Sequence, residues 1–171
     1  MIHIEHIPTY LGWSFTHILH GTFKRNRAEF KHHDYPILAP LPPKGSQQTP
    51  LQGEAVPGPF IYFVVDDHKR VFYVGKSKEA HILKRWIRPG NGGPAKHYWS
   101  HSTSFGGCVF NIADGLRAGH GPYHLRFVPM MILRAQFARA LGLDDILAGD
   151  TALARAERGL IHALGPLWNR P

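Results

Sequence analysis

Cysteine is nearly absent from this sequence, with Cys108 standing alone. One thiol builds no disulfide framework and no C-x-x-C zinc site, which fits a reducing compartment and leaves stability to the core. Long apolar runs are missing as well. Nothing approaches the roughly 20 residues that a membrane helix requires, so the chain is not expected to span a membrane. The N-terminal stretch MIHIEHIPTYLGWSF carries His3, Glu5 and His6 where a secretory signal would show a basic start and a clean apolar segment. A cytoplasmic location is therefore expected. Acidic residues are scarce, with 12 Asp and Glu against 20 Lys and Arg, a formal net charge of +8 that leaves 13 histidines uncounted. That excess favours polyanionic partners, and nucleic acid is the commonest of these inside a cell, although a solvated basic face has the same composition. No internal repeat is present.

The 171 residues suit one domain that can bury a core unaided. The first part of the chain mixes aromatics with a basic cluster, KRNRAEFKHH, and shows no clean period. Pro36, Pro40, Pro42, Pro43, Pro50, Pro57 and Pro59 follow, removing backbone donors and favouring extended conformations. This pattern predicts an irregular N-terminal extension with a Pro-rich segment over residues 1–56 and a folded domain over residues 57–171.

Within that domain FIYFVV and VFYVG, around a polar DDHKR turn, read as a β-hairpin. A simple turn would set Val65 opposite Arg70 and Tyr62 opposite Tyr73, so the two phenols would stand side by side; a bulge would change that register. Ser77 is placed to cap a helix running to Arg88 before Pro89-Gly90. Its apolar face would carry Ile82, Leu83, Trp86 and Ile87, and its other face Lys78, His81, Lys84, Arg85 and Arg88. A helical turn is expected around Lys96–His101. CVFNI at 108–112 and YHLRFVPMM at 123–131 read as strands, and helices are expected at 132–141 and from Asp150, as cap, to Leu164. The fold class is α/β, a central antiparallel sheet of about three strands flanked by helices.

On the last helix Leu153, Ala156, Leu160, Ile161 and Leu164 share one arc, and Glu157 falls inside it. A carboxylate there needs a compensating cation or donors. A buried ion pair with an arginine and a metal-binding or catalytic role both answer that need.

Taken together, these features resemble the GIY-YIG nuclease family. Its two tripeptides correspond to Phe60-Ile61-Tyr62 and Tyr73-Val74-Gly75, followed by Lys76-Ser77 and a helix whose Ile82-Leu83-Lys84-Arg85 supplies the arginine. The closing signature corresponds to Glu157, Leu160, Ile161, Pro166 and Asn169 in AERGLIHALGPLWN. The resemblance spans about residues 56–169 and rests on the joint order of these pieces. Taken singly, an aromatic pair in a hairpin is core, and a lysine after a strand or an arginine on a polar helix face is solvated. Phe60 departs from the family's first glycine. Pro89 stands where many members carry His or Tyr, so that role is either missing or moved to His97, Tyr98 or His101, of which His97 and His101 are favoured.

The resemblance implies a magnesium-dependent endonuclease acting on DNA, double-stranded in the first instance, with manganese as a substitute ion. Glu157 would hold the metal, and one matched carboxylate implies a single-metal mechanism rather than a two-metal clamp. Tyr62 would activate or position the attacking water, its phenol helped by the charge of Lys76, Arg85 and the metal. Tyr73 would bind and orient, Arg85 would neutralise charge on the phosphate, Asn169 would support the site, and Lys84 and Arg88 would contact nucleic acid. Specificity would come from residues 1–56, from the stretches around 89–122 and 132–150, or from a partner subunit such as a second copy of this chain. The alternative from another class is a catalytically inactive nucleic-acid-binding module on the same scaffold. Other motifs fail: Gly75-Lys76-Ser77 lacks the first Walker A glycine, since Arg70 stands there, and GNGGP lacks a strand-turn-helix context. His97 and His101 lack the glutamate of a zinc H-E-x-x-H helix.

Overall fold

The computed structural model describes residues 2–23, 35–41, 57–80 and 108–169. After a short 3-10 turn at Ile4–His6 come β1 (Tyr10–Phe23), β2 (Tyr35–Leu41), β3 (Phe60–Val65) and β4 (Val71–Ser77). They are followed by α1 (Cys108–Arg117), β5 (Tyr123–Pro129), α2 (Met130–Leu141) and α3 (Asp150–Leu164). The fold is mixed α/β, with every strand pairing antiparallel in one sheet of order β2-β1-β5-β3-β4.

Among the described residues the sheet has five strands where the sequence predicts about three, because N-terminal stretches expected to be irregular supply β1 and β2. The physical reason lies in the register. β1 skips between Leu11 and Trp13 against β5, and between Phe15 and Ile18 and again between Leu19 and Thr22 against β2. A skip of one residue, as between Leu11 and Trp13, breaks the period of two by which a strand is recognised in sequence.

Two apolar layers flank the sheet. Phe60, Tyr62 and Val64 alternate with Ile61, Phe63 and Val65 along β3, and all six are buried because both faces are covered. The first set packs with Tyr123, Leu125 and Phe127 of β5 and with Cys108, Ile112 and Ala113 of α1. The second packs with Val74, Val128, Leu133 of α2, and Leu153, Ala156 and Leu160 of α3.

The expected strand at 108–112 is instead the start of α1. A short apolar run does not reveal its period; Cys108, Ile112 and Ala113 reach the sheet at helical spacing, and tertiary packing overrides the β propensity of Val109 and Phe110. Gly115 lets α1 come close: a Cβ there would sit 2.1 Å from Tyr123 Oη. β5 ends at Pro129 and α2 begins at Met130, slightly earlier than expected. α3 has the expected bounds, but Gly149 occupies the cap position and Asp150 lies in the first turn. Ser77 is the last residue of β4 rather than a helix cap, and its Oγ accepts a hydrogen bond from Glu79 N. The rest of the expected helix to Arg88, and the turn at Lys96–His101, lie outside the described residues.

The β3–β4 turn is organised by Asp66. Its Oδ1 accepts from the backbone N–H groups of His68 and Arg70, and its Oδ2 from Arg70 Nε at 2.6 Å. Burial alone pushes this carboxyl up, but the Arg70 side-chain and backbone hydrogen bonds, the Arg70 charge and the His68 hydrogen bond together hold it below its usual value. A depressed folded pKa contributes stability that is present above the unfolded value of about 3.9 and is lost as pH falls through the lower folded one. Asp66→Asn keeps an acceptor but loses the charge, so it should cost about 1 kcal/mol near neutral pH. Urea melts at pH 7 and at pH 2 check this: the gap between variant and wild type should close in acid.

Candidate active site

The hairpin register differs from the simple expectation. Tyr62 pairs with Gly75, Phe63 with Val74, Val64 with Tyr73 and Val65 with Val71. The turn holds five residues, 66–70, rather than four, and Phe72 is the extra residue of a bulge; together they shift the register by two positions. The phenols are thus diagonal rather than directly opposed. They remain on one face, that of α1, with ring centroids 6.1 Å apart and planes tilted by 31°.

The register explains Gly75. A Cβ at that position would lie 2.4 Å from Tyr62 Cζ and 2.5 Å from its hydroxyl oxygen, so the Tyr62 ring occupies the space that any side chain at 75 would need. Glycine here is a seat for the phenol.

Lys76 and Val74 point to the opposite face, toward α3. Lys76 Nζ donates to Glu157 Oε2 at 2.5 Å, with the two side chains 37% and 18% exposed. The carboxylate within the apolar arc of α3 therefore has a cationic partner, and it is a lysine rather than the arginine the ion-pair reading expects. Just past the end of β4, Lys78 pairs with Asp150 in the first turn of α3. These two ion pairs join later positions of β4 to earlier positions of α3, so they fix the helix antiparallel to the strand.

Asn169 joins the same strand from its outer edge. Its Oδ1 accepts from Val74 N at 2.7 Å and its Nδ2 donates to Val74 O at 2.8 Å, while Trp168 N donates to Phe72 O at 2.7 Å. The carboxamide thus supplies the donor and acceptor that a further strand would offer, and it covers an edge that would otherwise be open.

Three segments singled out by sequence thus meet on β4. The tyrosines come together on one face, Lys76 and Glu157 come together on the other, and Asn169 binds between them at the edge. The structure does not bring the phenols and Glu157 onto a common face. Arg85, Lys84, Arg88, His97 and His101 lie outside the described residues. Among the described residues no cluster of three or more His, Cys, Asp and Glu side chains stands ready for a metal ion, and no helix is long and apolar enough to cross a membrane.

Sequence reasoning missed a second polar chain: Ser14 Oγ lies 2.7 Å from His124 Nδ1, and His124 Nε2 lies 2.6 Å from Asp67 Oδ1. Ser14 and His124 are cross-strand partners of β1 and β5, a pairing no local motif encodes. It also missed Trp168, the neighbour of Asn169, which packs on Phe72 and Tyr123.

No protein-family model matches this sequence, and neither a curated protein nor a solved structure does.

Two substitutions test this geometry. Asn169→Ala removes both bonds to Val74 and should cost about 1–3 kcal/mol, with Val74 amide exchange accelerating while β3–β5 amides keep their protection. Gly75→Ala should cost a similar amount by displacing the Tyr62 ring, and Tyr62→Leu in the same chain should recover part of it, as denaturant midpoints of the single and double variants would report.

Proposed function

We propose that this protein is a magnesium-dependent endonuclease of the GIY-YIG type, hydrolysing DNA phosphodiester bonds with a single metal ion. The observation that carries this reading is the convergence on positions 73–76 of residues from three distant segments: Tyr62, Glu157 and Asn169. Their order in the sequence alone did not require them to meet.

The donor set suits magnesium. That ion keeps several waters and takes one or two carboxylates together with substrate phosphate oxygens. Glu157 offers one largely buried carboxylate beside a cation. It would hold the ion, which when bound supplies Lewis-acid charge to the phosphate. The chain's own groups do the rest. Tyr62 orients the attacking water and, with positive charge nearby, accepts its proton. Lys76 follows the glycine on which the phenol rests, and its side chain leaves β4 on the opposite face. Tyr73 supports the Tyr62 ring and orients the substrate, Arg85 neutralises the phosphate, and Asn169 keeps β4 in register.

One observation favours a second reading, a nucleic-acid-binding module without catalysis. Glu157 is already paired with Lys76, on the face of the sheet opposite the phenols.

Nicking of supercoiled plasmid with magnesium, against the same incubation with chelator, separates the two. The nuclease reading expects metal-dependent nicking, manganese substituting for magnesium, and losses of at least about 100-fold in Glu157→Gln and Tyr62→Phe with binding retained. Binding itself should weaken with salt, each of Lys76, Lys84, Arg85 and Arg88 contributing roughly one unit of log-log slope. Because Lys76 is more than a third exposed, Glu157→Gln should cost only about 1 kcal/mol of stability. A folded Glu157→Gln protein that nicks at the wild-type rate would overturn the metal-holding role. Salt-sensitive binding with no nicking by the wild type would establish the second reading.

A further inference from the structure

Near the hairpin turn, on the face that α1 covers, lies an open cavity of ≈ 620 Å³. Its floor is aromatic. Phe72, the extra residue of the bulge, meets Tyr123 edge-on at 5.3 Å between centroids and Trp168 at 4.9 Å, and Tyr123 and Trp168 lie 5.2 Å apart. Trp168 is held there by its own N–H on Phe72 O and by the clamp of Asn169 on Val74. Burial and the Asp66 charge push the Tyr123 phenol up, so it is neutral at physiological pH.

The rim is polar, with Asp66, Asp67, Arg70, Asp114 and His120 among its residues, and the Arg70 guanidinium lies over the Phe72 ring at 5.7 Å. Each carboxylate already has a partner: Asp66 with Arg70, Asp67 with the His124 ring and Asp114 with Arg117. A phosphate entering here would face three carboxylates, with Arg70 and Arg117 already committed to two of them. A neutral planar ring would not, and it would find an aromatic floor together with hydrogen-bond donors and acceptors at its edges. The volume falls within the range of about 300–1,000 Å³ typical of small-molecule sites and admits a nucleotide-sized group.

We propose that this cavity receives one unstacked nucleobase of the nucleic-acid strand whose backbone passes β4. The inference rests on the nucleic-acid reading above and adds to it that the substrate presents a base outside a continuous duplex stack. Phe72 and Lys76 are four residues apart on the edge strand β4, about 13 Å at roughly 3.3 Å per residue, and face opposite sides of the sheet, so a strand contacting both would cross that edge.

The test compares the full chain's affinity for a short single-stranded oligonucleotide with that for a fully abasic strand of the same length, and uses free adenosine as a competitor. Stacking contributes about 1–3 kcal/mol per base, so the base-bearing strand should bind at least about fivefold more tightly. Trp168→Leu should abolish that preference, and His120→Ala, at an exposed rim position, should reduce it without unfolding risk. Adenosine should compete only weakly. Equal wild-type affinity for the two strands would overturn the proposal, as would a preference that survives in both folded variants. Adenosine binding as tightly as the oligonucleotide would identify a free-nucleoside site and overturn the strand assignment. Plasmid nicking by the same preparations keeps the two readings apart. Intact metal-dependent nicking without base preference removes only this inference, whereas base preference without nicking removes only the nuclease reading.

Discussion

The double hydrogen bond from Asn169 to the peptide groups of Val74 is the constraint on which the rest of the described arrangement around β4 depends. β4 lies at the end of the sheet order, and an edge strand left with bare peptide groups is free to pair with another chain or to fray. A carboxamide satisfies one donor and one acceptor at once, without the length of a further strand. The same tail positions Trp168 over Phe72, and α3, which leads into the tail, is tied to β4 by Lys76 and Lys78. The edge is thus held from the outside by the tail and from one face by a helix. Tyr62 depends on this in turn, because its ring rests on Gly75 and moves with the backbone of β4.

Which parts of this were legible in the sequence follows from how far apart the cooperating residues lie. The hairpin was readable because its two apolar runs and polar turn are contiguous, and α3 because its period persists over four turns. Glu157 stood out because a carboxylate in an apolar arc must be compensated by something, and Lys76 is that something. The register was not readable, since it hinges on the length of the turn and on one extra residue, Phe72, which packs on Tyr123 and Trp168 from elsewhere in the chain. β1 was hidden by its own bulges, and α1 was mistaken for a strand because five residues do not distinguish the two periods. In each of these cases the missing information was tertiary.

The charges follow a consistent plan. Described carboxylates are mostly committed to cations within the molecule: Asp66 to Arg70, Glu157 to Lys76, Asp150 to Lys78, Asp114 to Arg117, Glu5 to Lys69. Such pairs cancel locally, and the exposed ones add little stability. The formal excess of +8 must then reside on basic residues beyond these pairs, and it acts at a distance on a polyanion rather than on the fold. On the nucleic-acid reading, an attraction of that kind would bring the strand to the surface without choosing where on it the strand settles.

The choice of position has to come from short-range features, and β4 carries two of different kinds. Toward its end, Lys76 and Glu157 form a charged pair of partial exposure, in which the lysine can exchange its carboxylate for a phosphate at modest cost because neither group is sealed from water. Toward its beginning, Phe72 belongs to an aromatic cluster whose surrounding carboxylates disfavour phosphate. On the nucleic-acid reading, a strand passing β4 would meet the charged pair on one face of the sheet and the aromatic cluster on the other. The bulge at Phe72 makes this division possible: without the extra residue, Phe72 would face α3 in the second layer and the cluster with Tyr123 and Trp168 would not form. The irregularity that conceals the register from sequence is also what separates a charged end of the strand from an aromatic one.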